Sequence, residues 1–146
     1  MSIRELVERI LRDLSEGDPL AKYYLRHVLA CCRRVYSDTD GTEPWNYDTR
    51  VKQRLAEIDP RLVEAYEELV EKVTEETREY TCGDGWGFEV VYYSIVDKYL
   101  LEVGEECDGV DRLDFVTVYD LDSFDPSRMW HQTRMDIESR YGIKLD

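Results

Sequence analysis

The fold turns on one stretch, Phe88-Glu89-Val90-Val91-Tyr92-Tyr93-Ser94-Ile95-Val96. Seven of its nine residues are β-branched or aromatic. Such side chains lose rotamer freedom in a helix but pack well on a pleated surface, so the composition predicts a strand. A second strand fits Tyr99 to Glu105, and a third fits Leu113 to Leu121 after the turn signal Asp108-Gly109. Together they make a three-stranded antiparallel meander. The Asp97-Lys98 junction lacks the Gly or Asn that a tight hairpin favours, so one helix from Val90 to Val103 is the alternative.

Upstream, the pattern is helical. Ser2 and Glu5 form a capping box, and Ile3, Leu6, Val7, Ile10, Leu11 and Leu14 keep one face apolar until Gly17. Three Asp-Pro pairs, at Asp18-Pro19, Asp59-Pro60 and Asp125-Pro126, each announce a helix, because Asp caps it and Pro at its first position loses no hydrogen bond. The second helix is expected from Pro19 to about Tyr36, with Leu20, Tyr24, Val28, Cys31 and Val35 inward. Ser37 to Tyr47 is a loop pinned by Trp45 and Tyr47, and Asp48 caps a third helix through Val51, Leu55 and Ile58. The fourth runs from Pro60 to about Tyr80, with Leu62, Tyr66, Leu69, Val73 and Tyr80 on one side. Cys82-Gly83-Asp84-Gly85-Trp86-Gly87 precedes a strand and lacks Lys-Ser/Thr, so it is a helix-to-strand connection with Trp86 packed beneath it, not a phosphate loop. A last helix covers Pro126 to Tyr141 and stops at Gly142, with Ile143 placed for a cap contact. The expected fold is α+β in a single domain, 1–146. It comprises a helical part at 1–80 with four helices, an acidic β meander at 81–125, and a C-terminal helix at 126–146.

The 146 residues are 42% apolar and 12% aromatic, enough for a core of their own. The longest run free of charge, Val90 to Val96, is far short of the ~20 residues that span a bilayer. Met1-Ser2-Ile3-Arg4-Glu5 enters an amphipathic pattern without an apolar signal core, so a cytoplasmic protein is expected. One Asn, two Gln and 36% charged residues make a thermophile-like composition. With 33 acidic residues against 19 basic ones, the net charge is −14. That charge repels nucleic acid and anionic lipid, which leaves basic protein surfaces or metal ions as partners.

The excess is local. Between Pro60 and Asp125 there are 19 acids and 5 bases, a net −14 equal to that of the whole chain. On the fourth helix Glu64, Glu68, Glu71, Glu75 and Glu79 recur at spacings of four, three, four and four, opposite Leu62, Leu69 and Val73. At ~1.5 Å per residue this row is about 22 Å long, with roughly one charge per 5–6 Å. A DNA strand carries a phosphate every ~3.4 Å. Glu102, Glu105, Glu106, Asp108, Asp111 and Asp114 from the sheet and its turn raise the density. The predicted partner-binding residues are therefore Glu64, Glu68, Glu71, Glu75, Glu105, Glu106, Asp108 and Asp111. The ordinary alternative is a solvated face that serves solubility.

The four cysteines are open to three readings. Cys31 and Cys32 fit an apolar helix face as small core residues. His27 and Cys31, four apart, could join Cys82 and Cys107 around zinc, although no C-x-x-C is present. Cys82 and Cys107 could instead form a disulfide. No nucleophile with a convincing base is present.

One string points to chemistry: Phe115-Val116-Thr117-Val118-Tyr119-Asp120-Leu121-Asp122. An apolar strand ending in Asp-x-Asp delivers two carboxylates to a sheet edge, as Mg²⁺ sites require. It resembles the first motif of haloacid-dehalogenase-type phosphatases and the metal-binding strand of primase-like polymerases, which would make Asp120 and Asp122 metal ligands. Ser123-Phe124 stands where a phosphatase has Gly-Thr. The expected function is a small acidic regulatory protein that docks on a basic protein surface, in the manner of a nucleic-acid mimic, with no cofactor and no catalytic residue. The rivals are a metal-dependent phosphoryl-transfer enzyme and an assembly subunit of a homo-oligomer.

Overall fold

The computed structural model describes residues 2–145; Met1 and Asp146 lie outside the described residues. The helices are α1 (Ile3–Ser15), α2 (Pro19–Ala30), α3 (Tyr47–Ile58), α4 (Arg61–Thr77) and α5 (His131–Tyr141). The strands are β1 (Arg33–Thr39), β2 (Phe88–Val96), β3 (Tyr99–Cys107) and β4 (Arg112–Asp120), in one antiparallel sheet of order β1-β4-β3-β2. The class is α+β, and the meander of three strands is present as its β2-β3-β4 part.

β2 and β3 pair along their whole length, from Phe88 opposite Cys107 to Val96 opposite Tyr99. Asp97 makes the tight connection in the left-handed region, with φ 54°, a conformation that Asp tolerates better than most residues. The hairpin therefore forms without Gly or Asn, and no helix runs through Val90–Val103.

The fourth strand corrects the expected second helix. That helix ends at Ala30, and Arg33–Thr39 leaves as β1. Val28, Cys31 and Val35 have helical spacing, but Val35 and Tyr36 are equally good strand residues. Pairing with β4 decides between them: Asp40 N–H donates to the Asp114 carbonyl, and the Ser37 and Thr117 hydroxyls meet at 3.3 Å. The last helix is also shorter than expected. Asp125 accepts from Ser127 N–H as a cap should, yet Pro126–Arg128 makes only one 3₁₀ turn. Met129 then goes extended and buries its side chain, and α5 starts at His131. Gly142 closes α5 in the left-handed region, where Ile143 N–H reaches the Glu138 carbonyl.

The chain divides into two compact units, residues 34–118 and the two flanking segments up to 33 and from 119. In the central unit α3 and α4 cover one face of the sheet. Tyr47, Val51, Leu55, Leu62, Tyr66, Leu69 and Val73 from the helices meet Val90, Leu101, Val103, Val116 and Val118 from the strands. In the flanking unit α1 packs on α2, and α2 on α5. Arg9 donates to the Tyr141 carbonyl and the Tyr141 hydroxyl donates to Asp13, tying the first helix to the last. Among the described residues no helix is long and apolar enough to cross a membrane.

Candidate functional site

The α4 sequence sorts its residues by side. Leu62, Ala65, Tyr66, Leu69 and Val73 are buried against α3 and the sheet, which leaves Glu64, Glu68, Glu71 and Glu75 exposed in a row. Glu67 and Glu76 are exposed as well. Glu79 lies beyond Thr77, where α4 ends, so it drops out of the helical row. The row spans about 17 Å, with one carboxylate per ~5 Å. Glu75 pairs with Arg78 at 2.6 Å, whereas Glu64, Glu68 and Glu71 make no ion pair with any of the described residues. Lys72 lies over the Tyr92 ring, 6.0 Å from its centroid, and the Tyr92 hydroxyl donates to Glu76 at 2.7 Å. Glu68, Glu71, Glu75, Glu76 and Tyr92 line an open groove of about 650 Å³ between α4 and β2.

The other four predicted residues separate. Glu105 points to the α4 side of β3 and takes a two-pronged grip from Arg112, Nε at 2.8 Å and Nη2 at 2.7 Å. Glu106, next along the strand, points to the opposite side and is exposed. Asp108 accepts from Asp111 N–H and Val110 N–H at 2.8 and 2.9 Å. Those bonds favour its charged form and hold its pKa below the usual carboxylate value. Asp111 is exposed in the same turn. Of the predicted residues, the accessible ones therefore form the α4 row and a separate group at the end of β3, and Glu105 belongs to neither.

Glu105 belongs instead to an internal pair with Asp114, which the sequence groups with the acids of the charged face although it alternates in step with the inward Val116 and Val118. The Arg112 hydrogen bonds draw the Glu105 pKa down. Burial, then the Glu105 charge and the hydrogen bond between the two carboxyls, push Asp114 up to about 7, with Asp40 adding to the rise. Asp114 also lines a cavity of about 140 Å³ with Tyr47, Tyr66, Val73 and Val103. Burial raises the pKa of both tyrosines, so they stay neutral phenols there.

In the flanking unit Asp120 is buried and has both oxygens engaged. Arg33 Nη2 reaches Oδ2 at 3.3 Å and Asp122 N–H donates to Oδ1 at 3.0 Å. Asp122 is exposed on the following 3₁₀ turn. Among the described residues no group of three or more His, Cys, Asp and Glu is arranged to hold a metal ion. Cys82 and Cys107 are joined as a disulfide, which removes both from the zinc set considered for His27 and Cys31. Cys31 and Cys32 are buried thiols, and burial pushes Cys32 up to about 12, so it is not a thiolate at neutral pH. His27 packs edge-on against Tyr23, 4.4 Å between ring centroids.

Two tryptophans depart from expectation. Trp45, expected to pin its loop, is 79% exposed, and Trp86, expected to pack beneath the glycine-rich connection, is 74% exposed. Arg50 does the work assigned to Trp45: it donates to the Thr39, Thr42 and Glu43 carbonyls, to Asn46 and to Asp38. Tyr47, the other expected anchor, is buried. No family model matches the chain, and no curated protein or solved structure shows significant similarity to it.

Proposed function

We propose that this chain is a small acidic binding protein of regulatory type, which docks through the α4 face on a basic surface of another protein. The observation that carries the proposal is the exposed row Glu64, Glu68, Glu71 and Glu75, three of which lack a counter-ion among the described residues, above a groove that adds Glu76 and Lys72. Leaving like charges in one row costs stability through mutual repulsion, and a basic partner relieves that repulsion. Steering by the row sets the rate of encounter, and apolar contacts around Tyr92 supply the anchoring. Where the partner surface normally binds nucleic acid, the row competes with the phosphates for it.

The test is retention of host proteins on immobilised chain at low and at high salt. One variant carries Glu64→Lys, Glu68→Lys, Glu71→Lys and Glu75→Lys; a control carries Glu5→Lys, Glu8→Lys and Glu16→Lys on α1 and its end. Basic proteins held by the parent at low salt and released at high salt should be lost by the first variant and kept by the control. Equal retention by both variants overturns the proposal.

A further inference from the structure

At the point where α4 gives way to β2, three aromatic rings and two carboxylates surround an open pocket of about 640 Å³: Tyr80, Trp86 and Phe88, with Glu79 and Asp84. Their exposure sets them apart from an ordinary core edge. Trp86 is 74% and Tyr80 41% exposed, so large apolar surface is left in water on a part of the chain that is otherwise held firmly. The backbone beneath is tied down at three points. Trp86 N–H donates to the Gly83 carbonyl, Gly85 N–H to the Gly109 carbonyl, and Cys82 is bonded to Cys107 at the end of β3. Tyr80 and Phe88 meet edge to face, 5.3 Å apart and 67° between planes. A fixed set of rings with solvent-facing π surface attracts cations, and a planar guanidinium, weakly hydrated, stacks on such rings better than an ammonium does. One ring of the set already carries such a contact: the Arg112 guanidinium lies 5.1 Å from the Phe88 centroid while its Nη1 donates to the Tyr80 carbonyl. Glu79 and Asp84, on the pocket rim, make no ion pair with any of the described residues.

We propose that the Tyr80–Trp86–Phe88 pocket receives a single arginine side chain of the basic partner, stacked on Trp86 and charge-paired with Glu79 or Asp84. This inference rests on the docking role proposed above, but it assigns a specific side chain to a site separate from the α4 row. A second copy of this chain is a poor occupant, because it would bring more carboxylates to the pocket.

The experiment uses the full chain and two short glycine peptides, one with a central arginine and one with citrulline, its neutral isostere. Amide and indole resonances of residues 79–88 are followed by NMR on titration. The arginine peptide is expected to move them with an affinity at least about tenfold above that of the citrulline peptide. Trp86→Ala and Asp84→Asn should each weaken the arginine response, and their unshifted spectra elsewhere verify the fold. The α4 charge-reversal variant should still bind the arginine peptide at this pocket; if it does while failing to retain basic proteins, the two sites are shown to be separate. Absence of shifts at 79–88, or equal binding of arginine and citrulline, overturns the inference whatever the outcome for the α4 row.

Discussion

Arg112 grips the Glu105 carboxylate on the α4 side of the sheet, Nε at 2.8 Å and Nη2 at 2.7 Å, and the Asp114 carboxyl lies beside it. With one cation for two acids, Glu105 keeps the charge and Asp114 keeps a proton to about pH 7. A proton is thus built into the interior of an otherwise strongly anionic chain.

The folded chain holds the Asp114 proton with a pKa of about 7, against an ordinary value of 3.8. This raised pKa contributes stability that is full below about pH 4 and is lost as pH rises through about 7. Asp114→Asn keeps the neutral shape and removes that loss. Relative to the parent it should gain roughly 2 kcal/mol between about pH 5 and about pH 8, after allowance for solvent screening. Urea unfolding of both chains at the two pH values measures this. The same decline in parent and variant would show that Asp114 is not the group responsible.

The Phe115 ring occupies the space that a β-carbon on Gly104 would fill. Such an atom would sit 2.5 Å from Phe115 Cζ and 2.6 Å from the Val90 carbonyl oxygen. Gly104→Ala should therefore cost about 1–3 kcal/mol as an overpacking change. Adding Phe115→Leu should recover only part of the loss, because the backbone carbonyl cannot move aside. Thermal melts of the single and double variants decide the matter, and a Gly104→Ala chain as stable as the parent contradicts it.

Arg50 should be intolerant of lysine. Its guanidinium joins Asp38 to the loop at 39–46 through bonds that a single ammonium cannot reproduce. Arg50→Lys is expected to cost on the order of 2 kcal/mol and to raise amide exchange across residues 40–46 while leaving α4 protected. Unchanged exchange in that loop would remove Arg50 from its role.

The Cys82–Cys107 bond closes a loop over a sequence separation of 25 residues. Chain entropy in the unfolded state makes such a closure worth about 3 kcal/mol. Reductant, or Cys82→Ser with Cys107→Ser, should lower stability by that order and should speed amide exchange at 82–87, where the aromatic pocket sits. A chain equally stable with and without reductant, with all four cysteines as free thiols by mass in both states, would show that the bond does not form.

Much of this was local and therefore legible. The branched and aromatic run at Phe88–Val96 and the Asp-Pro starts of α2 and of the turn at Pro126 act through neighbours in the chain. So does the glycine after Tyr141. The α4 row follows from its spacing, and even the division of Glu105 from Glu106 is implied by strand alternation. What misled was side-chain identity taken for packing: Trp45 and Trp86 are large and apolar, yet the loops that carry them are held by Arg50 and by the disulfide.

What the sequence determined by itself is where backbone conformation changes, which helix face is apolar, and that the acidic excess lies between Pro60 and Asp125. Only the tertiary structure decided that Arg33–Thr39 becomes a strand beside β4, that Asp114 holds a proton beside the charged Glu105, and that Cys82 meets Cys107. Each of these is a contact between residues far apart in the chain. Propensity acts over a few residues, whereas a hydrogen bond, an ion pair or a disulfide depends on distance in space, which is set only when the whole sheet has assembled.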